Sequence, residues 1–426
     1  MQHKMNIKFI IATLFFFSVS ANSATSLNDI NADTVSLKVD CGTSENCAED
    51  MFELMGWIWA SRSPSALKPL LVNIGPGTFK FINPANGYAG SFCNGGGHVT
   101  FRGAGRNTTT IIGPGKAVKI GFLNETAVLH IQDCDQLSFE SLSIRADLFE
   151  ENAAYTVGWV GGGSSTWNNV ELVASYYPWV DVCSGNNEIS THTWFGSTFI
   201  SNGTGVLNTA YRSDCGSSEI HGSNLLVNKS KVNSPWSMIG VQAGSKGQVA
   251  LYGSSVRVIV PATADANVVY SNQSPSYAPS YGHGGLLAID GGIIHMHGGI
   301  ISVRHERNDV NSSVFGVRSF GAGSAIHTPD TAFGLKASGS GVVARIMLDG
   351  GKVSAPFQWP AGETPPAITS LNGADTFVET DCNTLGQCVN VPAAEQMPHM
   401  MIYNANCSAA DPWFDSSLNQ CRNLQN

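Results

Sequence analysis

Along the chain, apolar residues fall in short stretches separated by Gly, Ser, Asn or Asp; residues 35–39, 70–74, 128–131, 137–145, 169–173, 249–251, 256–260, 286–289 and 342–348 are examples. Many of these alternate apolar and polar positions, the period-two pattern of a half-buried strand. One segment departs from it. Residues 49–61 place Met51, Leu54, Met55 and Ile58 at helical spacing, which predicts a helix acting as an end cap.

A second pattern overlies the first: a strand, then Gly followed by Ser or Gly, then another strand. It occurs at Gly196-Ser197, Gly222-Ser223, Gly253-Ser254, Gly291-Gly292, Gly298-Gly299 and Gly350-Gly351. Glycine permits the backbone angles of a sharp turn between strands. The first four intervals are 26, 31, 38 and 7 residues, so the repeat is loose. A loose repeat of short strands fits a β-solenoid with loops of varying length. A sandwich stays open, as does a propeller, although a propeller calls for a more regular repeat.

Composition agrees with strands and turns. Of 426 residues, 46 are Gly and only 13% are charged, so there is little material for surface helices. The first 24 residues read as a secretory leader: Lys4 and Lys8, then the apolar run 9–19, then small residues up to Ala24. That run is too short to span a bilayer, and no later run is longer. Loss of the leader and its two lysines takes the formal charge from −9 to −11. An acidic chain is a poor partner for nucleic acid or an anionic membrane.

All ten cysteines follow the leader: Cys41, Cys47, Cys93, Cys134, Cys183, Cys215, Cys382, Cys388, Cys407 and Cys421. An even number behind a leader reads as disulfides formed in an oxidising compartment. Spacing suggests Cys41–Cys47, Cys382–Cys388 and Cys407–Cys421, which leaves Cys93–Cys134 and Cys183–Cys215 to link across rungs. No C-x-x-C or clustered Cys/His spacing supports zinc, and no metal site is assigned. His295-Met296-His297, with His283, His305 and His327 in the same region, puts two imidazoles on one side of a strand but lacks a third ligand at family spacing.

Three segments carry a resemblance. Residues 70–81, LLVNIGPGTFKF, resemble the early strand and Pro-Gly-Thr-aromatic element of right-handed parallel β-helix proteins of the pectin-lyase-like superfamily. Residues 98–113, HVTFRGAGRNTTTIIG, are similar to its next element. Residues 128–146, VLHIQDCDQLSFESLSIRA, look like one rung. The likeness covers roughly 35–145, and the looser repeat extends it to about 355. It implies an all-β, right-handed parallel β-helix and leaves the reaction open, because this scaffold hosts lyases, hydrolases, esterases, epimerases and adhesins. The catalytic signatures of such enzymes are absent. Where pectinesterases carry Tyr-x-Glu, this chain has Phe79-Lys80-Phe81, and the start of a pectate-lyase-like Arg-x-Pro-x-x-Arg at Arg62 ends in Leu67. Neither a G-x-S-x-G elbow nor an H-E-x-x-H motif occurs, and Gly103-Ala104-Gly105 lacks the third glycine of a dinucleotide fingerprint.

The stretch richest in chemistry is 159–214. Trp159, Trp167, Tyr176, Tyr177, Trp179, His192, Trp194 and Tyr211 are the expected substrate-binding residues, since aromatic faces stack on the C–H faces of sugars. Asp181, Arg212 and Asp214 are the expected catalytic group: two carboxylates for acid and base work, and a cation for developing charge. For each of these residues the competing expectation is structural, rings packed inside the coil and an ordinary surface ion pair.

The resulting expectation has four segments: leader 1–24, N-terminal cap 25–66, parallel β-helix 67–355, and a disulfide-stapled C-terminal cap or small module at 356–426. The resemblance implies a secreted carbohydrate-active protein working on an extracellular polysaccharide by lyase, hydrolase or esterase chemistry. The alternative is a non-catalytic, adhesin-like glycan binder on the same scaffold. The sequence requires no cofactor and leaves calcium open.

Overall fold

The structure is a computed structural model. It describes residues 25–31, 34–39, 58, 63–81, 91–94, 96–113, 118–120, 123–125, 127–146, 155–184, 188–202, 207–228, 237–260, 282–305, 313–321, 323–328, 331–337, 342–349, 352–355, 368–370, 377–380, 402–404, 414–415 and 420–421. The leader lies outside these residues, as does the helix expected over 49–61 apart from Ile58, which is buried in the core.

The chain winds as a parallel β-helix with three strands per coil. One coil consists of Tyr177–Val182, Ser190–Phe195 and Thr198–Ser201. The next consists of Leu207–Ser213, Ser217–His221 and Asn224–Asn228; then come Ser237–Gly244, Gln248–Tyr252 and Ser255–Val260, followed by Gly282–Ile289, Ile293–His297 and Ile300–His305. Each strand pairs in parallel with its counterpart one coil on, which makes three faces along the axis. Two long strands, Ala127–Glu140 and Tyr155–Asn168, run through the bend and join the first face to the second. Parallel pairing on every face excludes the sandwich and the propeller. Among the described residues, antiparallel pairs occur only between Thr25–Asn31 and Thr34–Val39, Val118–Ile120 and Leu123–Glu125, Phe414–Asp415 and Gln420–Cys421, and at the Ser65–Lys68 bridge. The parallel ladder continues past residue 355: Ile368–Ser370 pairs with the end of Val342–Asp349, and Ile402–Asn404 pairs with Ile368–Ser370.

The glycine repeat now has a physical reading. Ser141, Asn169, Gly196, Gly222, Gly253 and Gly298 hold the same turn in successive coils, between the second and third faces, with φ from 53° to 64°. That left-handed region is cheap only for Gly and tolerable for Asn. The serine after the glycine turns inward. Ser223 Oγ accepts the N–H of Ser197, and Ser254 Oγ accepts that of Ser223, a hydroxyl ladder closing the backbone bonds of the turn. Gly291-Gly292 belongs to a different turn, between the first and second faces. That assignment turns the uneven intervals of 38 and 7 residues into one coil.

Inward-facing rings stack coil on coil. Phe101, Phe139, Trp167 and Trp194 lie at centroid separations of 5.2, 4.1 and 4.6 Å, with planes within 21° of parallel. The coil spacing of parallel strands, about 4.8 Å, is near the separation of offset-stacked rings, so a position that stays aromatic gains stacking beyond its burial. Cys183–Cys215, one of the two pairs left once the closely spaced cysteines are matched, forms a disulfide with Cα atoms 5.0 Å apart. Cys134 is disulfide-bonded as well. The expected Cys41–Cys47, Cys382–Cys388 and Cys407–Cys421 pairs lie outside the described side chains.

Candidate functional site

The structure sorts the expected site residues by the side of the sheet on which they lie. Trp159, Trp167, Trp179, Trp194 and Tyr211 are interior side chains with no exposed surface. They pack edge to face and ring to ring: Trp167 on Trp179 at 5.5 Å, Trp179 on Trp194 at 4.9 Å, and Trp194 on Tyr211 at 6.0 Å. Their polar atoms are mostly spent inside. Trp167 Nε1 donates to Ser165 Oγ at 2.7 Å, Trp194 Nε1 donates to Tyr211 Oη at 3.2 Å, and Tyr211 Oη donates to Ser218 Oγ at 2.7 Å. Burial, then the charge of Asp181, pushes the Tyr211 phenol up. Rings covered in this way have no face left for a sugar, so these five serve the core.

His192 is interior too. Ser165 Oγ lies 2.7 Å from its Nδ1 and Ser190 Oγ lies 2.9 Å from its Nε2. Trp159 and Trp179 stand edge-on to it at 4.8 and 4.7 Å. Burial lowers its pKa to about 3, so the ring is neutral at working pH. A Ser–His arrangement with a nearby Asp invites a nucleophile reading, but no substrate reaches a hydroxyl in this position.

Tyr176 and Tyr177 belong elsewhere. They pack with Ala127, Tyr155, Val160, Val180 and Val182 in a second apolar cluster, separate from the main core. Trp179 and Asp181 point inward, so strand alternation turns Val180 and Val182 outward. Tyr155 and Tyr177 stack at 5.1 Å. A third cluster, Ile239, Leu287, Ile289 and Phe315 with Phe320 against it, lies farther along the first face.

The acidic and basic residues separate in the same way. Tyr211 and Ser213 point inward, so Arg212 points outward, in register with Val180 before it and Gln242 after it. Arg212 Nη2 donates to Asp214 Oδ2 at 2.7 Å, and Nε lies 3.0 and 3.2 Å from the two carboxylate oxygens. Both side chains are 16% exposed. The guanidinium carbon sits 5.7 Å over the Tyr177 ring. Burial works against the Arg212 charge, but Asp214 and then Tyr177 outweigh it and raise its pKa. Beneath the pair is Gly244; a Cβ there would meet Asp214 Oδ1 at 2.6 Å, so this glycine makes room for the carboxylate.

Asp181 is not on this surface. It has no exposed area, and its Oδ1 accepts from Ser213 Oγ and from the backbone N–H groups of Asp214, Cys215 and Gly216, each at 3.0 Å. Its Oδ2 has no hydrogen-bond partner and lies 3.9 Å from His192 Nε2. Burial pushes the carboxyl up to about 6, against the pull of the Cys215 N–H and the Ser213 hydroxyl. Of the three expected catalytic residues, then, Arg212 and Asp214 meet on the outer side, and Asp181 stands behind them inside the coil.

Sequence reasoning missed the partners Ser165, Ser190, Ser213, Gly216 and Gly244. It also missed an outward stack, Phe195, His221, Tyr252 and His297, with centroids 5.1, 4.8 and 5.4 Å apart. A signal for the stack was present: each ring immediately precedes a turn glycine, at 196, 222, 253 and 298. Nearby, His295 stacks on His327 at 4.6 Å, and burial, then His327 and His297, lower its pKa to about 4. Among the described residues no three His, Cys, Asp or Glu side chains gather as a metal site.

No protein-family model matches the chain, and no curated protein matches it. Solved structures of similar backbone course include the A-module of mannuronan C-5 epimerase AlgE6 from Azotobacter vinelandii, with TM-score 0.40, 11% identity, and coverage of 78% of this chain and 89% of that one. A pectin methylesterase in complex with hexasaccharide VII has TM-score 0.38 and 11% identity over 90% of this chain and 100% of that one. Pectin methylesterase PemA from Erwinia chrysanthemi has TM-score 0.34 and 13% identity over 63% of this chain and 79% of that one. These likenesses are distant.

Proposed function

We propose that this chain is a secreted carbohydrate-active β-helix protein that engages an extracellular polysaccharide through the outer side of its first face, with Arg212 and Asp214 at the centre. The observation that carries the reading is the outward ion pair, partly exposed and set between the Tyr176/Tyr177 cluster and the Phe315/Phe320 cluster. Charged donors and acceptors on an outer face where Tyr176 and Phe320 are only partly buried suit a ligand with C–H faces and hydroxyl or carboxylate oxygens. The leader-like segment and the Cys183–Cys215 disulfide support an oxidising destination.

In this reading Arg212 gives the N–H donors that Asp214 and Tyr177 do not take to sugar oxygens, and it offsets negative charge on the polymer. Asp214 accepts from a sugar hydroxyl or removes a proton beside the reacting bond. Cleavage by two carboxylates flanking a bond would need a second acid on the same side, and Asp181 is interior. That placement favours a second reading, in which the same surface binds the glycan and performs no chemistry.

The test is a panel of plant, algal and bacterial polysaccharides given to the mature protein with and without calcium. The readouts are reducing ends, unsaturated products, released methanol or acetate, and retention on the polymer. The enzymatic reading expects one chemical signal, lost in Asp214→Asn. Retention without any product selects the binding reading. Neither product nor retention on any polymer removes both.

A further inference from the structure

We propose that Asp181 is a positioning residue: from inside the coil its carboxylate latches the turn at residues 213–216 and so sets Asp214 against Arg212. The proposal rests on the reading of Arg212–Asp214 as the ligand-contact pair, and part of its test is independent of that reading.

The geometry is that of a backbone nest. Three consecutive N–H groups, from Asp214, Cys215 and Gly216, converge on one oxygen together with the Ser213 hydroxyl. Successive N–H groups aimed at one point form an anion-binding concavity. Here the anion is supplied by a strand one coil earlier, since Asp181 is in register with Ser213. The turn is also tied by the disulfide between Cys215 and Cys183, two residues beyond Asp181. The turn residue Asp214 is itself the outward carboxylate, so fixing its backbone fixes the root of the side chain that Arg212 grips at 2.7 Å.

The surroundings give Asp181 no role as a reactant. Neither oxygen reaches solvent. The space beside Oδ2 is too small for even a methyl group on Gly216, and the facing imidazole of His192, held by Ser165 and Ser190, is neutral. The other titratable groups around it are the Tyr211 phenol, bonded to Trp194 and Ser218, and the Arg212–Asp214 pair across the turn. Among the described residues no charged cation touches the carboxylate, and the N–H groups of the turn and the Ser213 hydroxyl hold it.

Two substitutions separate the roles. Asp181→Asn keeps an acceptor oxygen where Oδ1 stands, whereas Asp181→Leu removes it and keeps four side-chain heavy atoms branched at Cγ. The first readout is hydrogen exchange of the amides of Asp214, Cys215 and Gly216, with the rate at which dithiothreitol reduces Cys183–Cys215. Asp181→Leu is expected to speed both by about tenfold or more, and Asp181→Asn to restore most of that loss. Should the Leu variant fail to fold, Ser213→Ala removes one of the four donors and is expected to speed exchange at the same three amides. Unchanged exchange in both the Leu and Ser213→Ala proteins overturns the latch.

The second readout is affinity for the polymer retained in the panel. Asp181→Leu should weaken it by about tenfold, with recovery in Asp181→Asn. If Asp181→Asn loses binding or turnover as fully as Asp214→Asn while its three amides stay protected, Asp181 meets the ligand and the positioning role is wrong. If Asp214→Asn binds normally while the amides respond as expected, the latch stands and the reading of the outward pair falls.

Discussion

Gly216 donates its backbone N–H to Asp181 Oδ1 at 3.0 Å, and its missing side chain leaves the space beside Oδ2. A Cβ on Gly216 would lie 2.6 Å from Asp181 Oδ2 and 2.7 Å from Ser190 Oγ. Both atoms are buried; the carboxylate is fixed through its other oxygen, Oδ1, and Ser190 Oγ is bonded to His192, so neither moves aside cheaply. Gly216→Ala is expected to cost about 1–3 kcal/mol in urea unfolding, the usual penalty of overpacking. A loss under a few tenths would mean that the carboxylate has room the geometry denies it.

Asp181 makes stability depend on pH with a definite sign. Burial raises its carboxyl from 3.8 to about 6 in the folded protein. Stability from the protonated form is full below about 3.8 and is lost as pH rises through 6, by up to about 3 kcal/mol. His192 acts oppositely. Its pKa falls from 6.5 to about 3, so its contribution is present above 6.5 and lost as pH falls. The two offset one another between pH 4 and 6. Asp181→Asn removes only the first, so its stability should climb more steeply than the native protein's from pH 4 to 6.5. Denaturant midpoints across that window are the check, and parallel curves would contradict it.

The Arg212–Asp214 pair is expected to matter for the ligand more than for the fold. The pair is only 16% exposed, but Asp214→Asn keeps an amide oxygen for Arg212 to donate to, so its stability loss should stay within about 1–3 kcal/mol. Gly244→Ala offers a second route to the same site, because the new methyl falls on Asp214 Oδ1. Differential scanning calorimetry should find both variants folded with small shifts. Polymer retention should drop in both.

The turn glycines allow a finer test. At Gly222 the φ of 53° disfavours a side chain, yet no atom stands within 4 Å of where a Cβ would lie. Gly222→Ala should therefore cost about 1 kcal/mol through conformation alone. Gly222→Asn should cost less, as Asn169 already holds this turn two coils earlier. Equal losses in the two variants would point to a hidden clash.

Inside the coil, Trp167 is stacked between Phe139 at 4.1 Å and Trp194 at 4.6 Å. Trp167→Ala should cost about 3–5 kcal/mol by chemical denaturation, and Trp167→Phe clearly less, because the phenyl ring keeps the stack.

The sequence disclosed the fold through local signals. Period-two stretches and the glycine turns together specify short strands, and the 70–81 and 98–113 segments specify how they wind. The candidate site was less legible because strand alternation does not say which side is the interior. Trp179 and Val180 are neighbours in sequence, one in the core and one outside it. In a water-facing sheet the ring would be the ligand contact; in a coil it fills the centre. Asp181 was illegible for a related reason: a carboxylate in a strand reads as chemistry, and its burial against three N–H groups of a turn one coil later is visible only in the fold.

The measurement that bears most directly on the account is a hydrogen–deuterium exchange footprint of the mature protein with and without the polysaccharide it retains. Protection concentrated in Tyr177–Val182, Leu207–Ser213 and Ser237–Gly244, and absent in Asp214→Asn, is the predicted result. Protection confined to the second or third face, or the same footprint in Asp214→Asn, would contradict the assignment of the ligand surface to Arg212 and Asp214.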